Sequence, residues 1–222
     1  MGRLVSLNVG GAEPNPAKDS GMTTGIGKRP VDHPLTVRRP GPKTTGLHSG
    51  VVGDFIGDTK HHGGDDQAVY AYSLEDYAWW SAELGRELAP GLFGENLTTE
   101  GLDLYNALIG ERWQVGDEVL LETTFGRIPC STFQHRMAEP RWIKRFAAAN
   151  RTGAYLRIVR EGTITPGARI EVVSRPAHDL TIAEAFDIYM HNPQHLSRLL
   201  VAEALPPQLR TDIEKRLADT PS

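Results

Sequence analysis

Short apolar runs, each cut off by Gly, Pro or Asp, fill this chain as far as residue 174. Punctuation of that density rules out long helices and leaves short strands joined by tight turns. Residues 4–9 read as the first strand, with Val5, Leu7 and Val9 on one face. A long polar loop over residues 10–30 follows, a length that points to function. Residues 31–37 and 50–56 read as weaker strands, and residues 68–72 as a buried one. Ser73 opens a helix to about Leu84, with Asp76 completing a capping box and Gly85 as the stop. Apolar residues on either side of Gly116-Asp117 predict two strands joined by a tight turn. A helix is expected from Pro140 to Ala149, and a final strand pair over residues 155–159 and 169–173.

The pattern changes near residue 174. Ser174-Arg175-Pro176-Ala177-His178-Asp179 reads as a linker. Beyond it, Thr181 and Glu184 form a capping box, and residues 183–190, 195–204 and 207–218 read as three short helices parted by prolines. The expectation is a mostly β (α+β) domain over residues 1–175 with peripheral helices, and a small three-helix unit over residues 179–220.

Charge limits the partners. The net charge of −4 argues against a grip on a nucleic-acid polymer. No run approaches the roughly 18 apolar residues that span a bilayer, and residues 1–6 lack the apolar stretch of a signal peptide. A single cysteine cannot form an internal disulfide. A cytoplasmic, reducing setting with no membrane is expected.

That cysteine is Cys130, in Arg127-Ile128-Pro129-Cys130. An isolated cysteine is commonly a small buried apolar residue. It also has three chemical uses. As a nucleophile it needs a lowered pKa and a base, for which His135, His61 and His62 are candidates. As a redox thiol it lacks a partner in the chain. As a soft ligand it suits a thiophilic metal, and one thiolate suffices when a cofactor brings the other ligands.

Two glycine-rich stretches lie upstream. In His61-His62-Gly63-Gly64-Asp65-Asp66, adjacent histidines on a strand point to opposite faces and do not readily share a metal. The chain has no Cys-x-x-Cys or His-Glu-x-x-His spacing, which argues against zinc. Gly63-Gly64 fits a hairpin turn, or backbone N–H groups closing on an anion or ring edge. Phe93-Gly94-Glu95-Asn96 fits a loop before a strand, or contacts to a heterocycle. Lys28, Arg29 and Arg127 are solvated charges or phosphate grips.

The order Val52-Gly53-Asp54, His62-Gly63-Gly64-Asp65-Asp66-Gln67-Ala68-Val69, Phe93-Gly94-Glu95-Asn96-Leu97, Ile109-Gly110-Glu111, Val115-Gly116-Asp117 and Arg127-Ile128-Pro129-Cys130 resembles the MOSC family. That family is named for the C-terminal domain of molybdenum cofactor sulfurase. The resemblance covers residues 1–175, and the trailing helices look like the three-helix domain of the bacterial hydroxylaminopurine-reductase branch. It implies a MOSC-type β-barrel that binds a molybdenum–pyranopterin cofactor, with Cys130 as both molybdenum ligand and catalytic residue. Lys28, Arg29, His62, Gly63, Gly64, Asp65, Glu95, Asn96 and Arg127 would then hold the rest of the cofactor.

The implied reaction reduces small N-hydroxylated bases or amidoximes by oxygen-atom transfer to molybdenum. No Rossmann fingerprint, flavin motif, haem or iron–sulfur ligand set is expected here. A separate flavoprotein or small electron carrier would therefore supply the electrons. Pyridoxal phosphate is not expected either, because the chain lacks the fold that cofactor needs. One position departs from the branch: Thr132 stands where a lysine often follows the cysteine, leaving Lys28 or Arg136 as candidates for that charge. A second reading is a non-catalytic carrier of the cofactor, or of sulfur as a Cys130 persulfide. A third is a metal-free cysteine hydrolase.

Overall fold

A computed structural model describes residues 1–18 and 21–219. Seven strands close a barrel: β1 (Gly2–Val9), β2 (Val69–Ser73), β3 (Leu97–Glu100), β4 (Arg112–Val115), β5 (Val119–Phe125), β6 (Ala154–Arg160) and β7 (Arg169–Ser174). Around the barrel they run β7-β4-β5-β6-β2-β3-β1, and β1 returns to β7 through Gly2 opposite Ile170 and Arg3 opposite Arg169. β2 and β3 are parallel and the other barrel pairings antiparallel. A parallel neighbour demands a crossover. The chain supplies it through α1 (Leu74–Leu84), where Ser73 Oγ accepts the Asp76 N–H at 3.1 Å and Gly85 closes the end at φ 63°.

β2 is buried along its whole length, because both of its faces meet a core. Val69 and Ala71 belong to an aliphatic cluster, and the alternate Tyr70 and Tyr72 to an aromatic one. The aromatic cluster is closed by Tyr77 and Trp80 of α1, Phe133 and Met137 of α2 (Ser131–Met137), and Trp142 and Phe146 of α3 (Trp142–Ala149).

The C-terminal stretch forms α4 (Ile182–His191), a 3-10 segment (Pro193–Val201) and α5 (Pro207–Ala218). Thr181 caps α4 as the sequence predicts, accepting the Glu184 N–H at 3.0 Å. The middle segment is wound more tightly than an α-helix, beginning at Pro193 directly after Asn192. Phe186, Leu199, Leu205 and Ile213 join the same aliphatic cluster as the barrel strands, so these helices are docked on the barrel through apolar packing.

Several expectations are corrected. Leu4 and Leu7, not Val5 and Val9, are fully buried on β1. A bulge between Leu4 and Ser6 shifts the register against β3 and swaps the alternation. Residues 50–56 form no strand beyond one bridge between Val51 and Val37, because Gly53 at φ 89° turns the chain so that Asp54 bonds through its side chain. β6 and β7 are not partners: a short strand at Gly162–Ile164 pairs with Leu35–Val37 between them, and β7 goes on to close the barrel. The loop over residues 10–30 contains a small ladder of Glu13–Pro14 with Thr23–Thr24.

Candidate cofactor and active site

Cys130 is the N-cap of α2, in extended backbone at φ −130° and ψ 171°. α2 is held from behind by aromatic packing, with the Phe133 ring 5.0 Å from Phe146, 5.5 Å from Trp142 and 5.7 Å from Phe93. The cysteine is thus fixed by a rigid cluster one turn away.

Two cavities meet at Cys130. An inner cleft of about 90 Å³ is lined from the 10–30 loop by Asn15, Thr24, Gly25 and Lys28, and from elsewhere by Asp54, Asn96 and Arg127. An outer cavity of about 470 Å³ lies between the Cys130 turn and the C-terminal helices. Asp58, His62, Gln67, Cys130, Thr132 and Tyr155 line both.

Burial pushes the Cys130 thiol up, but a hydrogen bond with His62 and the charge of Arg127 outweigh it and bring the pKa down to about 6. The Phe133 N–H adds to this without closing a full capping bond. At neutral pH the residue is therefore mainly thiolate, the form that ligates metals and attacks electrophiles.

Arg127 is buried rather than on the surface. Its Nη1 donates to the Phe93 carbonyl at 2.7 Å, and its guanidinium carbon lies 4.4 Å from the centre of the Phe133 ring. Its Nε is buried with no protein acceptor. The fit explains Gly94, which sits at φ 74°: an added Cβ would come within 2.9 Å of Ile26 and 3.2 Å of Arg127 Nη1.

Lys28 is buried beside it and pairs with Asp54, and burial lowers its pKa despite that partner. Asp54 also accepts from Gly10 N–H at 2.9 Å, Ser49 Oγ at 2.7 Å and Asn96 Nδ2 at 3.0 Å. Asn96 spends its Oδ1 on the Tyr70 N–H at 3.2 Å, so it braces the cleft wall.

Of the residues singled out from sequence, Lys28, His62, Gly63, Asn96, Arg127 and Cys130 line the inner cleft together. The others do different work. Arg29 is exposed on a short strand, Arg29–Val31, beside β1, because neighbours in extended chain face opposite ways. Gly64, at φ 77°, makes close backbone packing with Lys43, and Asp65 accepts the Gly41 N–H at 2.9 Å. Glu95 lies fully buried behind the cleft, its Oε1 accepting from Gly91 N–H at 2.6 Å, Thr98 Oγ1 at 2.7 Å and Tyr77 Oη at 2.8 Å. Burial raises its pKa.

Sequence reasoning missed Asn15 and Tyr155 as cleft residues and Asp54 as its hub. Asp54 alone left a trace, as an acid after glycine in an apolar run. Thr132, the departure from the family pattern, accepts from Asn15 Nδ2 at 3.0 Å. Arg136 is exposed, whereas Lys28 stands in the cleft, so Lys28 is the better placed to supply the missing positive charge.

Among the described residues no cluster of three or more His, Cys, Asp or Glu stands ready to hold a metal ion. A metal at Cys130 would need its other ligands from a cofactor. The soft thiolate and the unpartnered, buried Arg127 Nε fit an anionic, metal-bearing cofactor.

A closed barrel presenting one ionised thiol and one buried arginine between two cavities defines a small-ligand barrel built around a single thiolate. Residues 58–171 match the model of the MOSC domain. Over 216 residues the chain is 30% identical to the uncharacterised protein YflK of Bacillus subtilis, covering 96% of this chain and 93% of that protein. It is similar in structure to YiiM from Geobacillus stearothermophilus, with a TM-score of 0.77 and 30% identity over 98% of this chain and 100% of that one. A protein of Gibberella moniliformis named "Reductase" is 36% identical over 131 residues, 58% of this chain but 23% of that protein. The chain belongs to the MOSC domain family, which is associated with molybdenum cofactor binding.

Proposed function

We propose that this protein is a molybdenum-cofactor-dependent reductase of small N-hydroxylated compounds. The carrying observation is the Cys130 thiolate in the shared wall of two cavities, with Arg127 and Lys28 buried on the inner side. A relative named as a reductase supports oxidoreductase chemistry.

When bound, the molybdenum cofactor supplies the two-electron chemistry that removes oxygen from an N–O group. The net change is an N-hydroxylated compound plus two electrons and two protons giving the amine and water. The electrons come from a separate protein donor, in keeping with the chain's lone cysteine and lack of a flavin motif. Cys130 provides a ligand that is already deprotonated at neutral pH. Arg127 and Lys28 would hold the cofactor's anionic end in the inner cleft. His62, which lines both cavities and hydrogen-bonds the thiol, is placed to hold a proton beside the reacting group.

The test is metal analysis of protein made in a cofactor-competent host. Wild type should carry molybdenum in proportion to protein, Cys130→Ala should lose it, and only the former should convert an amidoxime to the amidine. Metal-free wild-type protein from such a host sinks the reading. The ionised thiol also suits a sulfur carrier; a persulfide on Cys130 in intact mass, with no turnover, would favour that reading instead.

A further inference from the structure

The outer cavity differs from the inner cleft in size, lining and origin. It is chiefly apolar, and one whole side of it comes from the C-terminal helices through Tyr189, Pro206, Gln208, Leu209 and Asp212. The opposite side is the Cys130 turn, including Ile128, a large apolar side chain left 40% exposed. Apart from the Cys130 thiolate its formal charges balance, with Lys18 and Lys43 against Asp58 and Asp212.

One tyrosine links both helices of the C-terminal side to the mouth of the barrel. Tyr189 of α4 donates its hydroxyl to Asp212 of α5 at 3.1 Å. The Arg216 guanidinium carbon lies 4.9 Å over the same ring. On its other side the ring meets Phe125, the last residue of β5, edge-on at 5.9 Å. Tyr189 thus ties α5 to the barrel at the cavity wall, beside the apolar packing of Ile213 that docks the helix. Leu209 is half-buried, packing against the aliphatic cluster while it lines the cavity.

We infer that the outer cavity is the substrate chamber, that it admits net-neutral, largely apolar molecules, and that Tyr189 and Leu209 set the size of what reaches Cys130. The inference rests on the reductase reading only for the word substrate. A chamber of about 470 Å³ lies in the range of small-molecule sites. Matching a flat apolar body to Ile128, Pro129 and Leu209 leaves its one polar, reactive end for the thiolate side.

The sole cysteine makes the test direct, because thiol labelling of the full-length, metal-free chain reports access to one atom. Methyl methanethiosulfonate is the small probe and monobromobimane the bulky, neutral one. Gln208→Trp with Leu209→Trp should slow bimane labelling about tenfold, because packed rings close the path, and leave the small probe within about twofold. Tyr189→Phe, which keeps the ring and loses only the clamp to Asp212, should move the bulky probe the other way, about threefold faster. An unchanged ratio of the two rates in both variants overturns the inference, and so does an equal loss for both probes. If the tryptophan variant fails to fold, Tyr189→Phe decides alone, and an unchanged ratio there overturns it. Labelling needs neither metal nor turnover. Protein that shows this size filter but takes up no molybdenum would overturn the reductase reading and leave the chamber standing.

Discussion

Asn15 Nδ2 donates to Thr132 Oγ1 at 3.0 Å, tying the long N-terminal loop to the helix that begins at Cys130. The loop supplies a large part of the inner cleft, so this bond joins the cofactor wall to the ligand turn. Thr132→Val keeps the shape and removes the acceptor. We expect a loss of about 1 kcal/mol and faster amide exchange across residues 10–30. Hydrogen exchange by mass spectrometry checks it, and unchanged protection in the loop would contradict the link.

The Cys130 thiol should titrate near pH 6. Its folded pKa is about 6 against an ordinary value of 9.0, so the thiolate is favoured by the fold. That contribution to stability is fully present above the unfolded pKa and is lost as pH falls through the folded one. The stability advantage of wild type over Cys130→Ala should therefore shrink between pH 9 and pH 6 in metal-free protein. Iodoacetamide rates against pH should show the same midpoint, and His62→Ala should move it upward. A midpoint left in place by His62→Ala would remove histidine from the account.

Arg127→Lys should be costly although the charge is kept. Lysine cannot reach the Phe93 carbonyl with a planar fork or stack on Phe133 as the guanidinium does. We expect about 2 kcal/mol of lost stability and a cofactor content well below wild type. Urea unfolding and metal analysis read the two effects separately.

Lys28→Met leaves the Asp54 carboxylate buried with only neutral donors. Breaking a buried pair from one side costs about 3 kcal/mol. Adding Asp54→Asn should restore part of the loss, since the second change removes the stranded charge. Thermal unfolding of the two single variants and the double variant gives the coupling; strict additivity would show that the pair does not interact.

What the sequence reveals about the fold depends on how local the signal is. α1 is legible because its cap, its stop and its apolar stripe all lie within the segment. α2 is not, because its N-cap is a cysteine and its first turn holds no acidic residue. The bulge in β1 and the separation of β6 from β7 depend on partners far along the chain, which periodicity does not see. The candidate site divides the same way. Cys130 and Arg127 stand out by rarity and by the order of motifs around them. Lys28 and Arg29 are indistinguishable in sequence, yet one lines the cleft and the other faces solvent. Glu95 looks like an open ligand contact in sequence and stands fully buried behind the cleft, because burial is a property of the loops folded over it.

The seam between Gly2 and Ile170 joins the first strand of the barrel to its last. During synthesis, β1 leaves the ribosome with its β7 partner still untranslated. The barrel therefore cannot close until residue 174 is out, and the β1 edge that meets β7 stays unpaired until then. A topology of this kind folds late and all at once. Any extension placed ahead of Gly2 sits at that seam, where an added Cβ on Gly2 itself would already press to 2.4 Å from Leu102.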